Sequence, residues 1–306
     1  MPMNAPAGRP EDLNKAVLYM CFAALLIPML NAAAKYLTQD YGVLQITWAR
    51  YAGHLFYMLA VFAPVYGAGL LRTENLGLQL LRSSMLCVST LVYVTALFYV
   101  QLPTAAAISF TAPFIVTALS PLVLGERVSV SRWFAILAGF IGAVIVLRPG
   151  DGLDLAATIV FGSAMAAACY QLLSRKLASG DRAATSITYI AVTGFVLTTI
   201  PLPFFWKTPG SALDWALFAS LGLSGGFGHY FMVRAFEVAP APFVSPFTYL
   251  QLAGAVLLGW AVFGQLPDAW VWTGSLVIVG SGVFILVTER RARAAAAPAA
   301  PRDARE

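Results

Sequence analysis

Apolar residues in this chain come in long continuous runs rather than in alternation. Ten runs stand near 15–37, 44–64, 79–100, 103–124, 131–147, 154–174, 183–205, 211–237, 242–263 and 268–288, separated by short polar or Pro/Gly breaks. Most reach the roughly 20 residues that carry a helix across a hydrocarbon core, and the fifth is near the short limit. A period of two is absent, and lipid leaves no backbone group to be paired by water. The runs therefore predict an all-α membrane protein of ten transmembrane helices. Lys15 before the first run and "AAA" at 32–34 also fit a secretory signal. Cleavage there would leave nine helices and break the duplication described below, so the first run is read as a helix.

Composition agrees. Hydrophobic residues make up 59% and charged ones 11%, with a mean hydropathy of +0.77; soluble domains carry about 25% charged residues. The net charge of +5 then reads as membrane topology and not as a nucleic-acid surface. With the amino terminus in the cytoplasm, 14 of the 19 Lys and Arg fall on the inner side, and outer loops keep only Arg148 and Lys207. Both termini are expected in the cytoplasm, in a bacterial inner membrane. Residues 1–14 would be a short cytoplasmic tail, and 289–306 a basic, disordered one. Cys21, Cys87 and Cys169 all lie inside apolar runs and suggest neither disulfides nor a metal site. No phosphate loop, catalytic triad or cofactor motif is present; "GAGLL" at 67–71 lacks the lysine such a loop needs.

The chain also repeats itself. An offset of 139 places Ala96 on Ala235, Pro103 on Pro242, Gly125 on Gly264, Trp133 on Trp272 and Leu147 on Leu286. Further upstream the offset is 140, which puts Asn31 on Gln171 and Lys35 on Arg175. Apolar matches are cheap here, whereas the proline, glycine and tryptophan matches fall at corresponding breaks. Each half, 15–147 and 154–288, holds five helices. Five is odd, so the halves enter the membrane in opposite senses, as in secondary transporters.

The stretch "LPTAAAISFTAPFIVTALSPLVLGERVSVSRWFAILAGFIGAVIVLRPG" (102–150) resembles the end of an EamA domain of the drug/metabolite transporter superfamily. The resemblance lies in the small-residue fourth helix, the "LGER" turn, the Trp opening the fifth helix and that helix's glycines. A second copy, 239–286, is similar, with Gln265 in place of the acidic residue. Membership implies a transporter of amino acids, S-adenosylmethionine, riboflavin, nucleotide sugars or phosphorylated sugars. "ITWARYAGHLF" and "GHYFMVRAF…SPFTYLQL" look closest to the flavin and S-adenosylmethionine types.

Polar groups at membrane depth are costly, about 2.5–3.5 kcal/mol for a charge at a helix centre, and so mark a pathway. His54 stands about 15 Å into the second helix, and His229 about 12 Å from the inner end of the eighth, at 1.5 Å per residue. Arg50 precedes His54 by one turn. As a pair they would offer an anion anchor and a hydrogen-bond partner; the structural alternative is snorkelling by Arg50 and glue by His54. Asn31 and Gln171 are expected to line a cavity. Lys35 and Arg175 are expected at gates or at the membrane interface. Tyr249 and Gln251 complete the substrate-binding candidates. Tyr93, Trp48, Tyr170 and Phe247 are aromatic candidates for stacking, with packing as the ordinary alternative. Arg234 and Glu237, at i and i+3, are expected as an interfacial pair or inner gate.

These residues point to a secondary transporter working by alternating access on a small amphipathic or anionic metabolite, embedded in lipid and without a cofactor. Broad multidrug or amino-acid export is the alternative within transport; a membrane enzyme or a receptor is the alternative outside it. Proton coupling through a histidine and assembly as a homodimer are both compatible with the sequence.

Overall fold

A computed structural model of the chain describes residues 12–125, 128–147, 155–177, 181, 183–239 and 241–296. The "LGER" pair Glu126 and Arg127, the N-terminal tail before Asp12 and residues 297–306 lie outside these. The described residues form twelve α-helices in ten crossings. The first half contains α1 (Leu13–Leu37), α2 (Val43–Tyr66), α3 (Leu76–Leu97), α4 (Leu102–Ser109) with α5 (Ala112–Leu124), and α6 (Val130–Leu147). The second half contains α7 (Leu155–Leu177), α8 (Ala183–Thr199), α9 (Ala212–Val238), α10 (Ala241–Val244) with α11 (Leu250–Phe263), and α12 (Ala269–Ala296).

Seven crossings are long and apolar enough on their own to span a membrane. The other three, α2, α7 and α8, are the polar or short ones. Large apolar side chains such as Phe56, Leu122, Phe134 and Leu276 lie exposed on the outer surface, as lipid-facing residues do. Beyond Thr288 the structure departs from the expected disordered tail: α12 continues to Ala296. Alanine and arginine are strong helix formers, so the helix runs on past the apolar segment.

The duplication is visible in the packing. α1 packs on α9, and its counterpart α7 packs on α3. α2 packs against its counterpart α8, and α6 against α12. Gly125 and Gly264 end α5 and α11 at φ of 69° and 65°, in the left-handed region where a side chain would be strained.

The fourth and ninth runs, expected as continuous helices, are broken at matching places. α4 stops at Ser109 and α5 begins at Ala112, because Pro113 cannot donate to the Ser109 carbonyl. In the ninth crossing a 3-10 turn, Ser245–Tyr249, joins α10 to α11. Pro246 there likewise lacks a donor. Discontinuous helices of this kind line cavities in inverted-repeat transporters.

Candidate functional site

α2 and α9 cross so closely at Gly53 and Gly222 that a Cβ on Gly53 would lie 2.6 Å from Gly222 Cα. This crossing carries Arg50, one turn earlier on α2, to the middle of the bundle. Gly225 leaves room for its stem: a Cβ there would meet Arg50 Cγ and Nε at 3.8 Å. Arg50 Nη1 reaches Thr90 Oγ1 at 3.4 Å, and Nη2 reaches His229 Nε2 at 3.5 Å.

The guanidinium borders a cavity of about 260 Å³. Asn31 of α1 and Gln251 of α11 supply amides to its wall, and Ser89, Thr90, Ser109 and Ser163 supply hydroxyls. Tyr93 and Phe110 form aromatic walls. Arg50 is the one charged side chain among the described lining residues, and no carboxylate faces it there. Ser89 and Ser163 fasten α3 to α7 by donating to each other's carbonyls, both at 2.9 Å. Among the described residues no group of three or more His, Cys, Asp or Glu could hold a metal ion.

Of the residues singled out from sequence, Asn31, Arg50 and Gln251 line the cavity. His229 stands beside it, in contact with Arg50. Tyr249 meets Phe110 in a tilted ring contact, 5.1 Å between centroids. His54 is 6% exposed and outside the lining, within electrostatic reach of Arg50 and His229. Gln171, half-buried on α7, also lies outside it; the α7 part of the wall comes from Ser163, Ala164 and Ala167. Lys35 turns inward from its helix end and is 9% exposed. Its ammonium donates to the Leu97 and Val100 carbonyls at 3.0 and 2.8 Å, capping α3. Its counterpart Arg175 is exposed. Arg234 lies half-buried near the end of α9; the side chain of Glu237 is outside the described residues.

Among the other aromatic candidates, Trp48 donates to Thr199 at 3.0 Å and meets Trp206, Tyr170 lies under the Arg82 guanidinium, and Phe247 packs on Phe243. Sequence reasoning missed Ser89, Thr90, Ser109, Phe110 and Ser163. The 139-residue offset was the available signal, because it places His229 on Thr90 and Tyr249 on Phe110.

Two hydrogen-bond clusters join the halves near the helix ends, and each could act as a latch. At one, Tyr41 donates to Asp214 at 2.8 Å, and Gln45 exchanges hydrogen bonds with the Lys207 backbone at 2.7 and 3.0 Å. At the other, Asp181 accepts from Thr73 at 2.6 Å and from Gln79 at 2.8 Å. Arg82 beside it bonds Ser174 and the Ser186 carbonyl.

Residues 14–148 and 154–288 each match the EamA-like transporter family. The chain is 33% identical over 283 residues to a riboflavin transporter of Vibrio cholerae serotype O1, covering 90% of this chain and 94% of that protein. It is 30% identical over 297 residues to a riboflavin transporter of Rhizobium johnstonii, covering 95% and 97%. It is 26% identical over 237 residues to an S-adenosylmethionine uptake transporter of Rickettsia conorii, covering 77% and 80%. One crystal structure superposes with a TM-score of 0.64 over 91% of this chain and 99% of its own, at 18% identity, a likeness of fold alone.

Proposed function

This chain belongs to the EamA-like transporter family, and from that premise we propose that it carries a flat, uncharged or anionic heteroaromatic metabolite of the flavin kind across the membrane. Riboflavin is the first candidate. The observation that carries this reading is the lone positive charge of Arg50 in a cavity whose described lining holds no carboxylate. An isoalloxazine edge presents carbonyl and imide groups that a guanidinium and the Asn31 and Gln251 amides can pair. Tyr93 and Phe110 offer faces for the ring, and the serine and threonine hydroxyls suit a ribityl chain.

S-adenosylmethionine brings a carboxylate that Arg50 could pair, but also a sulfonium and an ammonium that the same charge repels, leaving it net positive beside Arg50. One such like-charged pair at 5 Å is repelled by about 3 kcal/mol at an effective dielectric near 20. A volume of about 260 Å³ is just under the roughly 300–1,000 Å³ of small-molecule sites. A flavin fills it and more, so binding widens the cavity, and the helix breaks at Phe110 and Tyr249 stand where that movement is available.

Transport proceeds by alternating access, the two five-crossing halves exchanging conformations around the cavity. The distribution of Lys and Arg supports an orientation with both termini in the cytoplasm of a bacterial inner membrane. Asp181 and its partners then form the inner latch, and Tyr41 with Asp214 the outer one.

Thermal stabilisation of the purified protein by riboflavin, flavin mononucleotide, S-adenosylmethionine and a panel of amino acids tests the reading. Riboflavin is expected to raise the unfolding temperature and S-adenosylmethionine to leave it unchanged. The reverse order would overturn the assignment.

A further inference from the structure

Arg50 enters the cavity from α2, but the side chains that hold it come one from each half, at matching positions. Thr90 and His229 are related by the offset of 139 that also superposes Pro103 on Pro242, Gly125 on Gly264 and Phe110 on Tyr249. The guanidinium therefore lies between two equivalent seats, close to the axis that relates the halves. Its helix has no such double: α8, the counterpart of α2, carries neither Lys nor Arg.

The hydrogen-bond roles follow from the chemistry. Thr90 spends its one proton on the Leu86 carbonyl at 2.9 Å. Its oxygen is left to accept from the Tyr51 hydroxyl at 3.1 Å and from Arg50. Arginine has no acceptor, so His229 Nε2 offers its lone pair and the ring proton sits on Nδ1. Contacts of 3.4 and 3.5 Å are long beside the usual value of about 2.9 Å. Two long contacts leave most of the five N–H donors free for a substrate, and neither seat holds the group tightly.

We propose that Thr90 and His229 are paired positioning residues that keep the single Arg50 guanidinium on the pseudo-twofold axis, so that one charge faces the substrate in both the inward- and the outward-facing states. When the halves exchange conformations, the two seats exchange surroundings and the guanidinium stays where it is. This inference rests on the reading that Arg50 contacts the substrate.

The test uses the full-length protein in proteoliposomes with tritiated riboflavin as probe, together with phenylglyoxal modification of Arg50 followed by mass spectrometry, which needs no substrate. Thr90→Val and His229→Leu are each expected to raise KM about fivefold, as befits one weak bond to a charged group, with kcat little changed. Both are expected to speed labelling of Arg50. His229→Gln, which keeps an acceptor, recovers most of the loss. The exchange variant Thr90→His/His229→Thr restores both readouts to within about twofold of wild type, because the seats are equivalent. An exchange variant as impaired as Thr90→Val/His229→Leu overturns the inference, as do single variants with unaltered KM and labelling. If wild type takes up no riboflavin while Arg50 labelling follows the expected pattern, the substrate assignment fails and the positioning role stands.

Discussion

Phe110 and Tyr249 meet in a tilted ring contact, centroids 5.1 Å apart and planes at 38°, and each stands at the break of its own half's discontinuous helix. Two rings from equivalent positions can touch only where the relating axis passes between them. That places the axis beside the cavity, since Phe110 is part of its wall.

Phe110→Leu is expected to weaken riboflavin binding about tenfold, because an aromatic contact is worth about 0.5–1.5 kcal/mol beyond burial and both the substrate face and the ring contact with Tyr249 are lost. Tyr249→Phe keeps the ring contact and removes only the hydroxyl lodged against Gly282, so its effect is smaller. Quenching of flavin fluorescence by the purified variants measures both.

The crossing of α2 and α9 leaves no space for a methyl group at Gly53 or Gly222. Gly53→Ala is expected to destabilise by about 1–3 kcal/mol, the usual cost of overpacking, and to displace Arg50 with its helix. Nothing stands within 4 Å of a Cβ on Gly77, so Gly77→Ala is the control that leaves stability unchanged or raised. Unfolding followed by differential scanning fluorimetry in detergent distinguishes the two.

Lys35 holds two carbonyls at the end of α3 and lies outside the cavity wall. Lys35→Met leaves those carbonyls without their buried donor, at a cost of about 1–3 kcal/mol. The expected pattern is a lower unfolding temperature with the riboflavin Kd preserved, read by fluorimetry and by titration.

The Asp181 latch has a predictable pH dependence. Partial burial pushes its carboxyl up, but hydrogen bonds from Thr73, Gln79 and the Glu74 backbone, with the charge of Arg82, hold it below its ordinary value of 3.8. A depressed carboxyl stabilises the fold above its unfolded pKa, and that contribution is lost as pH falls through the folded value. Asp181→Asn is therefore expected to unfold earlier than wild type from pH 5 to 8, with the difference closing below 3.8. Thermal unfolding across that range checks it.

Lipid made much of this molecule legible. Runs of apolar residues, and prolines and glycines repeated at one offset, leave few alternatives to ten crossings in two halves. Arg50, Asn31 and Gln251 stood out for the same reason, since a polar side chain in an apolar helix is conspicuous. Thr90 and Ser109 did not. A hydroxyl in such a helix ordinarily bonds its own preceding turn, as Ser109 does with Ala105, so nothing in the local pattern marks one that also faces a cavity. The offset makes Gln171 the equivalent of Asn31, yet the wall reaches Asn31 and stops at Ala167 on α7. The cavity is displaced to one side of the axis, so equivalent positions do not line it equally, and an offset cannot reveal that. The helix breaks were hidden as well, because hydropathy does not register a turn between two apolar segments.

Counterflow of tritiated riboflavin into proteoliposomes holding wild type or Arg50→Met tests the central claim most directly. Wild type is expected to give saturable uptake that S-adenosylmethionine does not compete for. Arg50→Met is expected to lose at least about tenfold in kcat/KM, because bonds to a charged group are worth about 1.5–3 kcal/mol. Uptake of riboflavin undiminished by Arg50→Met, or uptake of S-adenosylmethionine in its place, would contradict the account.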